Sequence, residues 1–578
     1  MSRETSATLD SPCRQLFLGE VPSEVVYPYP KQDPEEAETT DMAVRAFREW
    51  AADNLDPALI DREQNIPESV REGIAELGLM GMTVPEEYGG YGFGATAYCR
   101  VVEEVTRHDA SLAVYIGAHL SIGARPLILD GTPEQRAKYL PKVATGETVC
   151  AFALTEPGAG SDAGSLRSRA VWDPEAGQFR LNGNKIWISN GGYAGLFTVF
   201  ARAEGGPAAE AGTAGVTAFL LERGARGFTN GPPEHKLGIR GTCTVELAFQ
   251  DTPLHAEQVI GGFGNGFGLA LASLLTGRLS LGACCTGAAK AMIALAVDHA
   301  RERKQFRRPI IEFGMIREKL GRMAAHAYAS ESMAYLTAGL YDQHRIDDLS
   351  VEAGYCKVLG SEVGWTAVND AVQILGGIGY MTEYPYERHL RDSRINLIFE
   401  GTNEILRLSG TLDALKEPGR RASEQLKAAK AELGAAGIAA ALGADSRPTA
   451  APRWIAEPLR EQGEALAAAT AAFGGKVQEV VRKHRRAILG QQYTLRRLAD
   501  AAIQLYAMTA GLSRASSRIA ERGAESAARE ILLTRRFVEE SCRAVRGQLE
   551  AIETRQDGWD EQIADLLREE GHYPTPLF

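Results

Sequence analysis

The stretch VCAFALTEPGAGSD, Val149–Asp162, separates two kinds of sequence pattern. On its N-terminal side apolar residues recur at helical spacing, as at Ile74, Leu77 and then Leu79, interrupted by Pro85 and the run Gly89, Gly90, Gly92, Gly94. Within the stretch a short apolar run ends in a Pro/Gly turn. Similar short runs follow at Gln178–Leu181, Thr198–Ala201, Val216–Leu221 and Val245–Phe249, parted by Gly, Asn and Pro. This reads as a small antiparallel β domain reaching to about Val259. Helical patterns then return over Leu269–Glu302, Ile316–Tyr341, Ser350–Leu375 and Asn403–Leu415. The expected fold is mainly α with a central β domain: a helical domain over 42–148, the β domain over 149–259 and a helical bundle over 260–416. Residues 1–41, with Pro22, Pro28, Pro30 and Pro34, read as an irregular arm lying across the surface. After the bundle come an Ala-rich helix and linker, 417–454, broken by Gly443, Pro448 and Pro452, and a further helical domain, 455–578. No internal repeat recurs at a fixed period.

A chain of 578 residues exceeds what one hydrophobic core organises, so several domains are expected. Its formal charge of −12 argues against a nucleic-acid partner, which needs clustered surplus cations. No run of eighteen uninterrupted apolar residues and no basic, apolar, small-residue leader occurs, which reads as a cytoplasmic chain that does not span a membrane. Leu426–Leu442 fits either an interfacial helix, giving peripheral membrane contact, or a packing helix. The eight cysteines are scattered, Cys284 and Cys285 being the one adjacent pair, and signal neither a disulfide framework nor a metal site. Cys150 reads as a small buried hydrophobe.

Four segments carry candidate chemistry. In Phe152–Asp162 a strand enters a Pro/Gly turn followed by hydroxyl and carboxylate residues, leaving backbone N–H groups free for an electron-rich ring or a phosphate. In Asn182–Gly192, Trp187 and Ser189 share one strand face if period-two geometry holds, giving an aromatic wall and a hydroxyl. Arg301–Arg308 ends a long apolar helix in a basic cluster, which suits a helix C-terminus or a pyrophosphate. In Arg394–Ile405, Glu400 follows Leu397, Ile398 and Phe399 and precedes Gly401 and a Thr402 helix cap. A carboxylate desolvated in this way gains basicity, as proton abstraction beside a thioester carbonyl requires. Each segment alone also fits an ordinary turn, core or surface role.

Together and in this order the four segments resemble the acyl-CoA dehydrogenase family over about residues 42–415. The likeness is greatest to its very-long-chain subgroup, through Gly117–Gly123, Arg391–Leu408 and, in the added C-terminal module, Gln492–Asp500. The resemblance implies the family architecture: an N-terminal helical domain, a β-barrel-like middle domain and a four-helix bundle, here with an extra helical domain. It also implies noncovalent FAD contacted by Phe152, Leu154, Thr155, Gly160, Ser161, Trp187 and Ser189, with Thr402 and Glu404 in a further flavin stretch. Arg303, Gln305, Phe306, Gln373 and Gly377 would reach the FAD of the other subunit in a homodimer. Where the family has Tyr and Gly this chain has His299 and Arg307.

Glu400 is implied as the base, taking the α proton while a hydride leaves Cβ for flavin N5 and a trans-2-enoyl-CoA forms. Substrate contacts are implied at Ser161, Arg278 and Gly401. Some relatives carry the base just before the helical arginine; here that position is Gly277, beside Arg278. No metal is implied. Gly117, Ala118, Gly123 and Ala124 on a cavity-lining helix would leave room for a long acyl tail, although tight helix packing also accounts for them, and Pro126 departs from the long-chain pattern. Electron-transfer flavoprotein is the implied acceptor. An acyl-CoA oxidase and a scaffold or assembly protein are the alternatives on the same fold.

Overall fold

The computed structural model describes residues 10–213, 215–346, 348–421, 423–424 and 450–575. It contains two compact units, one of Pro30–Asn403 and one of Met1–Tyr29 with Glu404–Phe578.

The first unit opens with helix α1, Pro34–Asn54, capped by the Asp33 carboxylate, which accepts from the N–H groups of Glu35 and Glu36. This helix begins inside the stretch expected to be an irregular arm. Proline at the first helical position pre-sets φ and lacks only an N–H that would go unpaired anyway, so Pro34 starts a helix here. Helices α2, Ala95–His108, and α3, Ala110–Gly117, follow, and the chain continues through a π turn, Ala118–Gly123.

The sheet has eight strands: β1 Cys150–Ala153, β2 Arg169–Asp173, β3 Gln178–Ile188, β4 Leu196–Glu204, β5 Val216–Glu222, β6 Phe228–Asn230, β7 Val245–Leu254 and β8 Val259–Ile260. Their order is β6-β7-β3-β2-β4-β5-β8, with β1 beside β4. The sheet is mixed and not purely antiparallel, because β4 runs parallel to both β1 and β2. Alternation along β4 and β5 explains their continuous burial: Leu196, Phe200, Val216, Ala218 and Leu220 join the core shared with the helices. Phe197, Val199, Ala201, Phe219 and Leu221 fill a second core on the other face.

Three long helices complete this unit: α4 Gly266–Glu302, α5 Gly314–Asp342 and α6 Ser350–Leu375, followed by the short α7, Tyr386–Ser393. Between α4 and α5 a two-stranded hairpin, β9 Lys304–Gln305 and β10 Arg308–Pro309, turns through left-handed Phe306 and Arg307 (φ 48° and 67°). Helices α4 and α6 touch backbone to backbone: a Cβ on Gly360 would sit 2.8 Å from Gly282 Cα, and one on Gly282 2.9 Å from the Cys356 carbonyl oxygen. Two stretches, Ala110–Asp130 and Gly266–Glu302, are long and apolar enough to cross a membrane by length and composition, and 67 % and 56 % of their most apolar windows is buried in the unit.

In the second unit α8, Asn403–Ala414, is followed by α9 Arg460–His484, α10 Gln492–Ser526, α11 Ala528–Ala551 and α12 Arg555–Glu570. Arg407 of α8 reaches Asp500 of α10 at 2.6 Å. The N-terminal residues expected to cross the surface are instead part of this core. Helices Pro12–Phe17 and Ser23–Val26 bury Cys13, Leu16, Phe17, Val25 and Val26, with Phe17 edge-on to Phe473 at 5.0 Å between ring centroids. Most of the Ala-rich segment, Leu426–Leu442 included, lies outside the described residues. None of the eight cysteines forms a disulfide.

Candidate active site

Glu400 stands on the short connection after α7, and its backbone is left-handed (φ 58°). Three groups hold this connection. Arg278 Nε of α4 donates to the Glu400 carbonyl oxygen at 3.1 Å. Lys357 Nζ of α6, fully buried, donates to the Gly401 carbonyl oxygen and to Asn403 Oδ1, each at 2.8 Å. Asn403 is further tied to Ser361 and Glu362. The carbonyls of Glu400 and Gly401 are thus engaged by cations, whereas among the described residues nothing accepts from the Glu400 N–H.

The Glu400 residue keeps intermediate exposure overall, but its Oε2 is enclosed and has no hydrogen-bond partner among the described residues. Burial pushes its carboxyl above the ordinary carboxylate range, while Arg278 and Lys357 pull the other way. A Cβ at Gly277 would lie 3.0 Å from Glu400 Oε2 and 3.2 Å from Ile122 Cγ2, so the absence of a side chain there makes the carboxylate's space. Burial likewise drives Lys357 down to about 8.

The carboxylate faces a cleft of about 80 Å³ whose walls come from α2 (Tyr98, Val102), from α3 and the π turn (Ala113, Gly117, Ser121) and from α4 (Leu281, Cys284). Ser189, Ile239, Asn396 and Phe399 complete its lining. The lining is largely apolar, which suits a hydrocarbon chain ending at one carboxylate. Of the four small residues expected to widen such a cavity, Gly117 and Ala118 line it. Gly123 and Ala124 do not: a Cβ on Gly123 would meet the Ala118 carbonyl oxygen at 2.6 Å, and Ala124 is buried in the core, so close packing explains both.

Between the sheet and the helices, β1 leads into the turn Glu156–Ala159, closed by reciprocal backbone bonds of 3.2 and 3.0 Å. Glu156 accepts from the N–H groups of Arg167 and Ser168 and from the fully buried Lys185 Nζ at 2.7 Å; Lys185 also donates to the Leu154 carbonyl oxygen at 3.1 Å. This buried pair props the turn from behind and leaves Gly160 and Ser161 exposed on its rim. Phe152 and Leu154 are buried in the strand and its end. His119 fixes β1 to the helices: its Nδ1 accepts from Cys150 N–H at 3.0 Å, so the proton sits on Nε2, within reach of the Met80 and Val143 carbonyls.

The expectation that Trp187 and Ser189 share a strand face fails. A bulge between Lys185 and Ile188 puts Trp187 at φ 56°, and β3 ends before Ser189. Trp187 is nevertheless 64 % exposed beside the β1 turn, because Ile186 N–H donates to the Thr155 carbonyl oxygen. An exposed indole next to hydroxyls and an open glycine rim is a donor set and wall that fit a flavin ring. Arg303, Gln305, Phe306, Gln373 and Gly377 are exposed, Phe306 to 89 %, and none of them lines the cleft. Thr402 precedes the first residue of α8, and Glu404 is exposed in its first turn. Sequence reasoning missed Lys185, Lys357 and Asn403, whose partners lie 29 to 46 residues away along the chain.

Comparison with known proteins bears on this geometry. Models of the acyl-CoA dehydrogenase N-terminal, middle and C-terminal domains match residues 37–147, 151–252 and 264–411, and a model of the ACAD9/ACADV C-terminal domain matches 457–570. The chain is 40 % identical over 561 residues to the human very long-chain specific acyl-CoA dehydrogenase, covering 95 % of this chain and 85 % of that one. It is 40 % identical over 369 residues to a Bacillus subtilis acyl-CoA dehydrogenase, covering 64 % and 95 %. The crystal structure of a Bacillus anthracis acyl-CoA dehydrogenase complexed with FAD superposes with a TM-score of 0.79 at 32 % identity, covering 94 % of each chain.

Proposed function

The chain belongs to the acyl-CoA dehydrogenase family, and from that premise we propose that it desaturates long-chain acyl-CoA thioesters with Glu400 as the base. Membership carries the coarser activity, FAD-dependent dehydrogenation of a fatty acyl-CoA. The assignment of the base rests on one observation, an enclosed, unpartnered Glu400 Oε2 lining a largely apolar cleft, and the long-chain preference on the likeness to the very long-chain specific relative.

A thioester whose tail fills the cleft brings its α carbon to this carboxylate. Burial raises the basicity of the carboxylate, and the cations Arg278 and Lys357 oppose that rise. The Glu400 N–H, with no acceptor within the described chain, donates to the thioester carbonyl oxygen and disperses the charge that builds there as the α proton leaves. Bound FAD supplies the hydride acceptor for Cβ. Phe152, Leu154, Thr155, Gly160, Ser161, Trp187 and Ser189 would hold its ring end, Thr402 a further edge. Arg303, Gln305, Phe306, Gln373 and Gly377 would serve the other subunit of a homodimer, a role supported by the exposed Phe306 on its hairpin tip. Electron-transfer flavoprotein is the acceptor we assign.

Glu400→Gln tests the central claim. The variant should purify yellow, yet anaerobic addition of acyl-CoAs of graded length should bleach its flavin absorbance roughly 10²–10⁴-fold more slowly than in the parent. Unaltered bleaching would refute the base, and a parent optimum at four carbons would refute the long-chain preference.

A further inference from the structure

The second unit carries a helix whose apolar face has nothing against it among the described residues. In α12 the residues Trp559, Ile563, Leu566 and Leu567 recur at i, i+4, i+7 and i+8, the spacing of one helical face. They are 57, 53, 40 and 41 % exposed, and no residue of the helix is buried. A short amphipathic helix draws most of its stability from packing that face, so a stripe of this size in water marks a docking surface.

The same unit carries a groove of about 520 Å³ between α9 and α11. One wall is Ala465, Ala468, Ala469 and Ala472; the other is built around Val545 and Leu549. No residue of α12 is among its lining, so α12 does not fill the groove of its own chain. Its start is held elsewhere: Asp557 pairs with Arg497 at 2.7 Å, and Glu553 just before it lies 2.5 Å from His484.

We propose that α12 of one copy seats its Trp559–Leu567 stripe in the α9/α11 groove of a second copy, each chain giving its helix and receiving the other. Shape supports this, since a wall of alanines leaves the recess that large side chains fill when helices pack ridge into groove. Charge supports it as well. Residues 555–570 carry six carboxylates against two arginines, whereas α9 and α11 together carry nine basic against seven acidic residues, and the groove rim offers Lys476 and Arg546 against Glu550. An acidic helix is repelled by an anionic bilayer, which favours a protein partner. Because stripe and groove belong to the same chain, a two-fold exchange forms both contacts at once and closes without leaving either patch open.

The groove contains a native thiol, Cys542, which makes the test direct. In the full-length flavoprotein, Ile563→Cys under mild oxidation should yield a disulfide-linked pair of chains with a 542–563 cross-linked peptide. Leu567→Cys should do the same, and Cys542→Ser should abolish both links. Mixing differently tagged chains, one carrying Ile563→Cys with Cys542→Ser and the other native at both positions, should place the link between tags. An exposed reporter on the sheet unit, Glu210→Cys, should give no such link. Three results would overturn the proposal: a 542–563 link within one chain, linkage only through another cysteine, or no link with either reporter in protein of normal flavin content. Co-sedimentation of the parent, but not of Trp559→Glu, with phosphatidylserine/phosphatidylcholine vesicles in place of cross-linking would also reject it and assign the stripe to a membrane.

Discussion

Glu400 occupies a backbone region that costs a residue with a Cβ roughly 1–2 kcal/mol, and the groups that hold it there are the ones that tune it. Arg278 and Lys357 anchor the neighbouring carbonyls and oppose, as cations, the effect of burial on the carboxylate. Gly277 completes the arrangement by absence, since a Cβ there would press on Oε2 at 3.0 Å. Gly277→Ala should therefore displace the carboxylate while leaving the flavin turn untouched. A displacement on the ångström scale from the reacting carbon costs about 10²-fold in rate. The expected result is a loss of that order in the anaerobic flavin-reduction rate, at unchanged flavin content. A rate equal to the parent's would show that the carboxylate does not depend on this gap.

At the scale of elements, what could be read in the sequence was what local pattern controls. Ser350–Leu375 was expected and found as one helix, and Leu269–Glu302 lacked only its first turn, because buried helices declare themselves by periodicity. Strand β3 was expected to stop at Leu181, yet it runs to Ile188 through register shifts at Gly183 and before Ile188. A bulge breaks the alternation on which strand reading depends, and the same break defeated the pairing of Trp187 with Ser189. Proline misled in the opposite sense, since Pro34, taken as part of an irregular arm, opens a helix capped by Asp33. The apolar neighbours of Glu400 drew attention to it, but those residues alone also fit a surface turn, and its role as base came from the family resemblance. Lys185 was not legible, because nothing local marks a lysine whose partner Glu156 sits on another element. Removing one partner of a buried pair leaves the other charged and unpaired, at about 3–5 kcal/mol. Lys185→Met should thus lower stability by about that amount and loosen the turn that presents Gly160 and Ser161. Flavin dissociation, followed by absorbance after gel filtration, should be faster than in the parent; parent-like stability and flavin retention would assign Lys185 no part in shaping the turn.

For the molecule as a whole, the response of stability to pH follows from buried acids in the Pro30–Asn403 unit. Asp392 accepts from the Ile239 N–H at 2.5 Å, which fixes a left-handed residue that lines the cleft, and burial beside Asp109 pushes its carboxyl up to about 7. Asp109, the N-cap of α3, is itself raised to about 6 by burial. A carboxyl whose folded pKa lies above its unfolded value contributes stability in full below the unfolded pKa, about 4, and loses it as pH rises through the folded pKa. For Asp392 the loss falls between about pH 4 and 7 and amounts to about 4 kcal/mol at most. The buried His119 and His389, both lowered to about 4, act in the opposite sense over the same range, since their stability is lost as pH falls from about 6.5. The parent's thermal midpoint alone therefore mixes opposing contributions. Comparison with Asp392→Asn isolates one of them, because the amide oxygen still accepts from Ile239 while the titrating proton is gone. The variant should gain on the parent as pH rises from about 4 to about 7, and the difference between the two should level off above the folded pKa of Asp392. A constant difference across that range would mean that Asp392 is ionised in the folded protein throughout, and that its bond to Ile239 outweighs the cost of burying its charge.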